Sequence, residues 1–403
     1  MPTYALDSYR SIGTVSRYAH YLRCPDPLYD AGGFIHFLVE NGDRFEEKPV
    51  LFPTNDQWTV TIARYKTRLE KWYRPCVADD NVVELLINKA QFYKWGMEHD
   101  YPVPKIYSPE DLERSDSRLF PIIAKPNARR IPDLCANNAN LGSFLDTHRM
   151  TILRDFNEYK DFLARYCEYI DFFLFQEYVA GMADQMYTIG IYANREHEIL
   201  GLFSGRKVRG FPPDIGDCIV GQGERMPEEI ISCVKEIVRK LKYSGIAEFE
   251  FKKDSLTGEL RLIEINPRSW SWIGITPACG VSLPWIAYSD MTGIEHVAFK
   301  RSNVEDGRVI YLKLISDLQN CLFSYKKMGY PQLHKSPFEW MREMRGKEKI
   351  FAEFSRDDPL VSLHALASHV KSHIKSLTDN AKGSPTHHNI ESPIKCPKDN
   401  IEP

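Results

Sequence analysis

The chain has 403 residues, 43% of them hydrophobic and 27% charged, with a formal net charge of −3, which is the make-up of an ordinary globular protein of two or three domains. No basic stripe dominates, which excludes the electrostatic footprint of a nucleic-acid binder. Nine scattered cysteines without a C-x-x-C pair argue against a disulfide framework or structural zinc, and no apolar run reaches the roughly 18 residues that span a bilayer, nor is there a signal-peptide core, so a cytoplasmic protein with no membrane partner is expected.

Pro2–Leu6 reads as a short strand ending in Asp7-Ser8. Ala31–Asn41 carries Phe34, Ile35, Phe37 and Leu38 at helical spacing. Pro49–Pro53 is a compact apolar strand running into Thr54-Asn55-Asp56, and a long helix with Trp58, Ile62, Tyr65 and Leu69 follows. Such alternation predicts a parallel α/β sheet, where polar residues at strand ends line a ligand crevice. Thr54-Asn55-Asp56 are thus a candidate substrate wall or, equally, a helix cap.

Asn88 is a good N-cap, which puts Lys89 in the first helical turn, against the macrodipole. That placement makes sense if Lys89 reaches an anion. Phe120–Pro126 is a buried strand ending in Lys125, which reads as a snorkelling side chain or as a phosphate contact. Phe172–Gly181 is an apolar strand that runs through Glu177-Tyr178-Val179 into a glycine turn, with Asp184 beyond it. Gln185–Tyr192 and Ile199–Phe203 read as antiparallel strands, and Arg206, Lys207 and Arg209 follow. Lys207 and Arg209 share a face if that stretch is a strand; a guarded sheet edge is the other reading. Pro227–Leu241 is an amphipathic helix with Ile230, Ile231, Val234, Ile237, Val238 and Leu241 inward.

The most informative stretch is Ala247–Arg268. Ala247–Lys252 and Leu260–Asn266 flank turn-forming residues and read as a hairpin. Side chains alternate faces, so Glu248 and Glu250 share one face of the first strand, and Glu264 and Asn266 one face of the second. Glu250, Glu264 and Asn266 offer an all-oxygen ligand set that suits hard Mg²⁺, with Arg268 as a fixed positive charge beside it. A solvated acidic hairpin is the plainer alternative. Trp270 and Trp272 read as packing residues. Val309–Leu314 is a strand, Phe338–Met344 and Pro359–Leu377 are helical, and Thr378–Pro403 has the composition of a disordered tail.

Glu-x-Asn-Pro-Arg268 after a Phe-Glu-Phe strand resembles the metal-binding end of the ATP-grasp superfamily. The resemblance spans roughly 49–293 and includes Lys89, Lys125, Glu177, Glu250, Glu264 and Asn266 in order. Tyr-Ala-Leu-Asp7, Pro-Val-Leu-Phe-Pro-Thr-Asn-Asp56 and Phe-Gln-Glu-Tyr-Val-Ala-Gly181 are similar to D-aspartate ligase-like carboxylate–amine ligases. This implies an α/β (α+β) ATP-grasp fold with an N-terminal Rossmann-like pre-ATP-grasp domain lacking its first strand. The boundaries implied are 1–87 for that domain, 88–300 for the ATP-grasp domain (subdomains about 88–178 and 179–300), 301–377 for a C-terminal extension and 378–403 for the tail.

The implied function is an ATP- and Mg²⁺-dependent ligase joining a carboxylic acid to an amine through an acyl phosphate, with D-aspartate or another amino acid among the substrates and a homodimer as candidate assembly. One or two Mg²⁺, with Mn²⁺ as alternative, would be held by Glu250, Glu264 and Asn266. Lys89 and Lys125 would meet the ATP phosphates, and the Val179 backbone and Glu177 the adenine. Asp184 would meet the ribose, and Lys207 and Arg268 would act at the transferred phosphate. A non-catalytic ATP-binding sensor is the alternative, and carboxylation of the biotin-carboxylase kind is a distant rival, since the chain has no carrier domain with a biotinylated Met-Lys. Two departures stand out. Asn127–His148 holds one glycine where the family has a glycine-rich phosphate loop, with Arg149 where it usually has lysine. The given sequence starts at the Tyr-Ala-Leu-Asp7 strand without the strand and glycine-rich turn that open relatives, so either the true start lies upstream or the N-terminal sheet is short by its first strand.

Overall fold

The computed structural model describes residues 2–381 except 116–117, 130, 133–134, 136–137, 149, 215 and 296, with backbone alone at 139, 146–147 and 372–381. Arg149 and residues 382–403 of the expected tail lie outside the described residues. The helix Pro359–Ala381 runs on into the start of that stretch.

At the N-terminus, β1 (Tyr4–Asp7) pairs in parallel with β2 (His20–Arg23), and β3 (Val50–Leu51) with β4 (Arg74–Pro75). These are two separate pairs among the described residues, not one continuous sheet. The helices Ala31–Gly42 and Asp56–Arg64 bury Phe34, Ile35, Leu38, Trp58 and Ile62 in a core that also holds Phe249, Phe251 and Leu262, so this unit is fused to the rest by packing. The helix expected to run from Trp58 through Leu69 is broken at Tyr65, whose φ of −107° and ψ of 16° leave the helical well.

A four-stranded antiparallel sheet follows: β5 (Ile106–Tyr107), β6 (Ile122–Pro126), β7 (Thr151–Leu153) and β8 (Phe173–Glu177), in the order β5-β8-β6-β7. The helix Phe156–Arg165 covers it, started by Asp155, whose carboxylate accepts the Asn157 and Glu158 N–H groups. Tyr159 and Phe162 pack from this helix against Phe173 and Phe175.

The third unit is an eight-stranded sheet. It comprises β9 (Met186–Ala193), β10 (Ile199–Phe211), β11 (Asp217–Gly223), β12 (Gly245–Lys253), β13 (Leu260–Asn266), β14 (Lys300–Arg301), β15 (Val309–Leu312) and β16 (Glu348–Phe351). The order is β13-β12-β9-β10-β11-β15-β16, with β14 against β10, so the C-terminal strands extend the same sheet. Glu228–Leu241 lies on it through Ile231, Val234, Ile237, Val238 and Leu241, as its spacing predicts. Glu228 and Glu229 in its first turn and Arg239 and Lys240 in its last match the helix dipole. Two glycines permit close approach. Gly245 opens β12 at φ +107°, where a Cβ would also lie 3.2 Å from the Cys76 carbonyl oxygen. Gly190 lies under Trp270, whose ring atom Cη2 would stand 2.1 Å from a Cβ there.

Candidate active site

The two sheets and the N-terminal unit enclose a cavity of about 690 Å³. Lys89, Lys125, Val179, Lys207, Glu250, Glu264, Asn266 and Arg268 all line it. They come from five places: a helix start, β6, the turn after β8, β10, and the β12–β13 hairpin with its exit.

The hairpin sets the geometry. Its antiparallel register puts Glu248 opposite Asn266 and Glu250 opposite Glu264, and directly opposed residues project to the same face. Phe249 and Phe251 go to the other face and into the core. Asp254 ties the turn by accepting the Leu256 and Thr257 N–H groups. Asn266 Nδ2 donates to Glu248 at 3.1 Å and, more weakly, to Glu264 at 3.4 Å. Glu248 also accepts from Thr188 Oγ1 at 3.3 Å.

Cations surround this carboxylate face. Lys207 Nζ donates to both oxygens of Glu250 at 3.3 Å, and Lys89 Nζ stands 3.4 Å from Glu264. Arg268 bonds Asp56 at 2.5 Å through Nε and Asn266 Oδ1 at 3.3 Å through Nη2. Lys125 is buried; its Nζ donates to Tyr93 Oη at 2.9 Å, and Tyr93 in turn donates to the Ile263 carbonyl at 2.6 Å.

Lys89 owes its place to both neighbours. Asn88 caps the helix Lys89–Glu98, its side chain accepting the Gln91 N–H. Asn127 then accepts the Lys89 N–H on its main-chain oxygen at 3.0 Å and the Ala90 N–H on its side-chain oxygen at 2.7 Å.

The protonation pattern follows from burial and neighbours. Burial, then the nearby Glu250 charge, pushes Glu248 up to about 8. Burial also raises Glu250, with Lys207 opposing. Burial alone would raise Glu264, but Lys89, Lys125 and Arg268 overcome it and hold that carboxyl at about 2. Lys125 is lowered to about 7 by burial and by the positive charge of Lys89. Lys207 is raised because Glu250 and Glu248 outweigh its burial.

Among the described residues, no group of three or more His, Cys, Asp and Glu side chains is gathered tightly enough to hold a metal ion as it stands. Both oxygens of Glu250 face Lys207, and of the two on Glu264 one faces Lys89 and the other Asn266 Nδ2. The donor chemistry still fits a hard divalent cation, because the register gathers the Glu248, Glu250 and Glu264 carboxylates and the Asn266 amide oxygen on one face as an all-oxygen set.

Two expected residues stand apart. Glu177 and Asp184 do not line the cavity. The Glu177 carboxylate accepts the Lys105 N–H at 3.1 Å and faces Arg261 at 3.8 Å, bracing β8 to its neighbours. Asp184 sits in a short 3-10 turn whose main-chain oxygen accepts from Arg206. Conversely, the cavity holds Glu248, Lys252, Gln176, Asp214 and Lys313, which had not been singled out for it. For Glu248 the signal was present in its alternation with Glu250. Lys207 and Arg209 do not act as one face: pairing with β11 slips between them, Lys207 reaching Glu250 and Arg209 reaching Asp317. The tryptophans serve as packing, since Trp270 and Trp272 are buried against Phe203, although both also border the cavity.

No family model matches the chain. In sequence it is similar to the D-aspartate ligase of Enterococcus faecium (strain Aus0004), 27% identical over 235 residues that make up 55% of this chain. The match covers 53% of that relative, so the chain spans about half the length of the curated protein it resembles. Among solved structures it is similar to the biotin carboxylase domain of the Hydrogenobacter thermophilus 2-oxoglutarate carboxylase, with a TM-score of 0.55 at 17% identity over 75% of this chain and 66% of the other. Pyruvate carboxylase of Rhizobium etli gives 0.53 at 12% identity, covering 73% of this chain and 26% of that one. N5-carboxyaminoimidazole ribonucleotide synthetase of Thermotoga maritima gives 0.50 at 13% identity, covering 74% and 71%. At these identities the likeness is one of fold.

Proposed function

The chain has the ATP-grasp fold, and we propose that it is an ATP- and Mg²⁺-dependent carboxylate–amine ligase. The observation that carries the proposal is the facing register of Glu248 with Asn266 and Glu250 with Glu264, ringed by Lys89, Lys125, Lys207 and Arg268 on one cavity. An acidic ligand set beside four cations suits a polyphosphate held through a divalent metal and fits neither a polyanion nor an apolar ligand alone. Two comparisons add support: the sequence relative is a D-aspartate ligase, and the 2-oxoglutarate carboxylase domain was solved with magnesium ADP.

In this reading a substrate carboxylate oxygen attacks the γ-phosphorus of ATP, the bond to the β,γ-bridging oxygen breaks, and an acyl phosphate and ADP result. An amine then adds to the acyl carbon, the bond to phosphate breaks, and an amide, inorganic phosphate and a proton leave. Both steps crowd negative charge, so the residues work by positioning and neutralisation. Lys89 and Lys125 hold the phosphates, and backbone groups near Val179 hold the base. Lys207 acts on the γ-phosphoryl oxygens, and Arg268, kept in place by Asp56, on the oxygens of the acyl phosphate. Glu250, Glu264 and Asn266, with Glu248 beside them, would hold Mg²⁺, which supplies charge neutralisation at the phosphates. On their placement Glu177 and Asp184 are left out of the nucleotide set. D-aspartate is one substrate this reading includes.

The test is ADP and phosphate release from Mg²⁺-ATP against pools of amino acids and small carboxylic acids. Release that requires one acid and one amine together supports a ligase. Tight ATP binding with no release from any pool turns the reading to a non-catalytic nucleotide-binding protein.

A further inference from the structure

We infer that Arg209 and Asp317 are positioning residues for Lys207, through which the C-terminal segment 313–344 shapes the active site; the inference rests on the reading of Lys207 given above. Arg209 lies two residues beyond Lys207 on β10, where the pairing with β11 slips between Lys207 and Arg209 and again between Arg209 and Gly210. A slip of this kind leaves backbone unpaired and re-aims side chains, so something must hold its shape.

Here the holder comes from the C-terminal segment. Arg209 grips Asp317 with two parallel bonds, Nε at 2.7 Å and Nη2 at 2.8 Å, and reaches Glu343 with Nη1 at 2.5 Å. Trp340 Nε1 donates to Asp317 at 2.7 Å, and Lys335 stands 3.0 Å from Glu343. Tyr325 Oη donates to the Gly210 carbonyl at 2.8 Å, on the next residue of the slipped strand. Asp317 is 0% exposed and Arg209 4%. A forked guanidinium on a buried carboxylate fixes direction as well as charge.

The same segment touches the cavity directly. Lys313 lines it, and its N–H bonds the Ile219 carbonyl on β11, one turn before Asp317 on the helix Leu314–Gln319. Val208, between the two cations in sequence, and Trp340 both pack against the apolar cluster of Val220, Ile310, Leu312 and Met344. Lys207 is thus held from both sides, by Glu250 at its tip and by the Arg209 cluster at its backbone. A buried ion cluster adds little net stability, so its weight here is assigned to the geometry it holds.

The experiment compares Asp317→Asn and Trp340→Phe with the unaltered full chain, on protein shown by circular dichroism to be folded at the assay temperature. The first readout is kinetic: kcat for phosphate release falls about tenfold in Asp317→Asn and severalfold in Trp340→Phe, while KM for ATP stays within about twofold. The second is independent of turnover: acylation by an N-hydroxysuccinimide ester, read by mass spectrometry, speeds up at Lys207 but not at the buried Lys125 and Lys252. A merely structural role would expose all three lysines together, and that pattern overturns the inference, as does a folded variant with unaltered kcat and Lys207 labelling. If the unaltered chain shows no ATP-dependent release, the ligase reading has failed, and the labelling pattern still decides whether the cluster positions Lys207. Should Asp317→Asn not fold, Trp340→Phe, which removes one donor and keeps the ion pair, carries the decision.

Discussion

Glu250 and Glu264 face each other across the β12–β13 register, yet their surroundings push them in opposite directions. Burial raises Glu250, with Lys207 opposing, whereas Lys89, Lys125 and Arg268 outweigh burial and hold Glu264 at about 2. Glu264 is therefore the carboxylate that stays charged under all ordinary conditions and the stronger candidate for a permanent metal ligand. Glu264→Ala is expected to lower Mg²⁺-dependent turnover at least about 100-fold with the fold retained, by the logic that a group acting only in the reaction complex shows its loss in kcat. A Mg²⁺ titration of turnover checks this; full activity in the variant refutes the metal assignment.

Glu248 gives a pH-dependent stability of opposite sign to the usual carboxylate. Its carboxyl is raised from an ordinary value of 4.5 to about 8 by burial and by Glu250. Below about 4.5 both folded and unfolded forms carry the proton and nothing is lost. Between 4.5 and 8 the unfolded chain releases its proton first, so stability falls as pH rises, and it levels off above 8. Glu248→Gln is expected to raise the melting temperature in metal-free buffer at pH 8 and to leave it nearly unchanged at pH 4. Melting curves across that range check it, and equal shifts at both ends would contradict the assignment.

If Lys125 meets the phosphates as proposed, ATP binding is expected to be proton-linked. Burial and the charge of Lys89 lower it to about 7, so at pH 8 it is mostly neutral in the free protein. A phosphate beside Nζ favours the charged form, and binding must then take up a proton. Calorimetry at pH 8 in two buffers of different ionisation enthalpy should show greater proton uptake in the unaltered chain than in Lys125→Ala, by up to about one proton. KM for ATP should rise in the variant, and an unchanged value returns Lys125 to a packing role.

What was legible in the sequence was what alternation carries. A period of two put Glu248 with Glu250 and Glu264 with Asn266, and the register pairs them directly, Glu248 with Asn266 and Glu250 with Glu264, before it slips by one residue at Phe251. Asn88 capped its helix as expected because capping is local. Contacts between distant segments were not legible. Glu177 looked poised for a ligand, but its bond to the Lys105 backbone depends on β5 lying beside β8, which no local pattern states. Lys207 and Arg209 share a face only in a regular strand, and the slipped pairing with β11 shows only in three dimensions. The N-terminal unit departed for the same reason: its strands pair two by two, and spacing alone does not fix pairing.

Asn127 is the clearest residue that a linear reading passes over, since it sits in the glycine-poor stretch after Lys125-Pro126. Its main-chain oxygen and side-chain oxygen take the Lys89 and Ala90 N–H groups, while its own N–H donates to the Phe172 carbonyl at 2.8 Å. One residue thereby ties the strand bearing Lys125, the turn that leads into β8 and the helix start bearing Lys89. Free N–H groups at a helix start are costly to leave unpaired, and removing a side-chain acceptor there costs about 1 kcal/mol. Asn127→Ala should therefore lose about that much stability and let the first turn of the helix loosen. Because the main-chain acceptor for Lys89 survives, the fold should stand. The loosening should appear as a severalfold higher KM for ATP with kcat little changed, since phosphate contact weakens in ground and transition states alike. Asn88→Ala, which frees the Gln91 N–H from the same turn, should act in the same direction, and the double variant should show less than the sum of the two because both act through one helix start. Denaturant melts and steady-state kinetics of the three variants test this; an unchanged KM in all of them would mean that Lys89 does not meet the nucleotide.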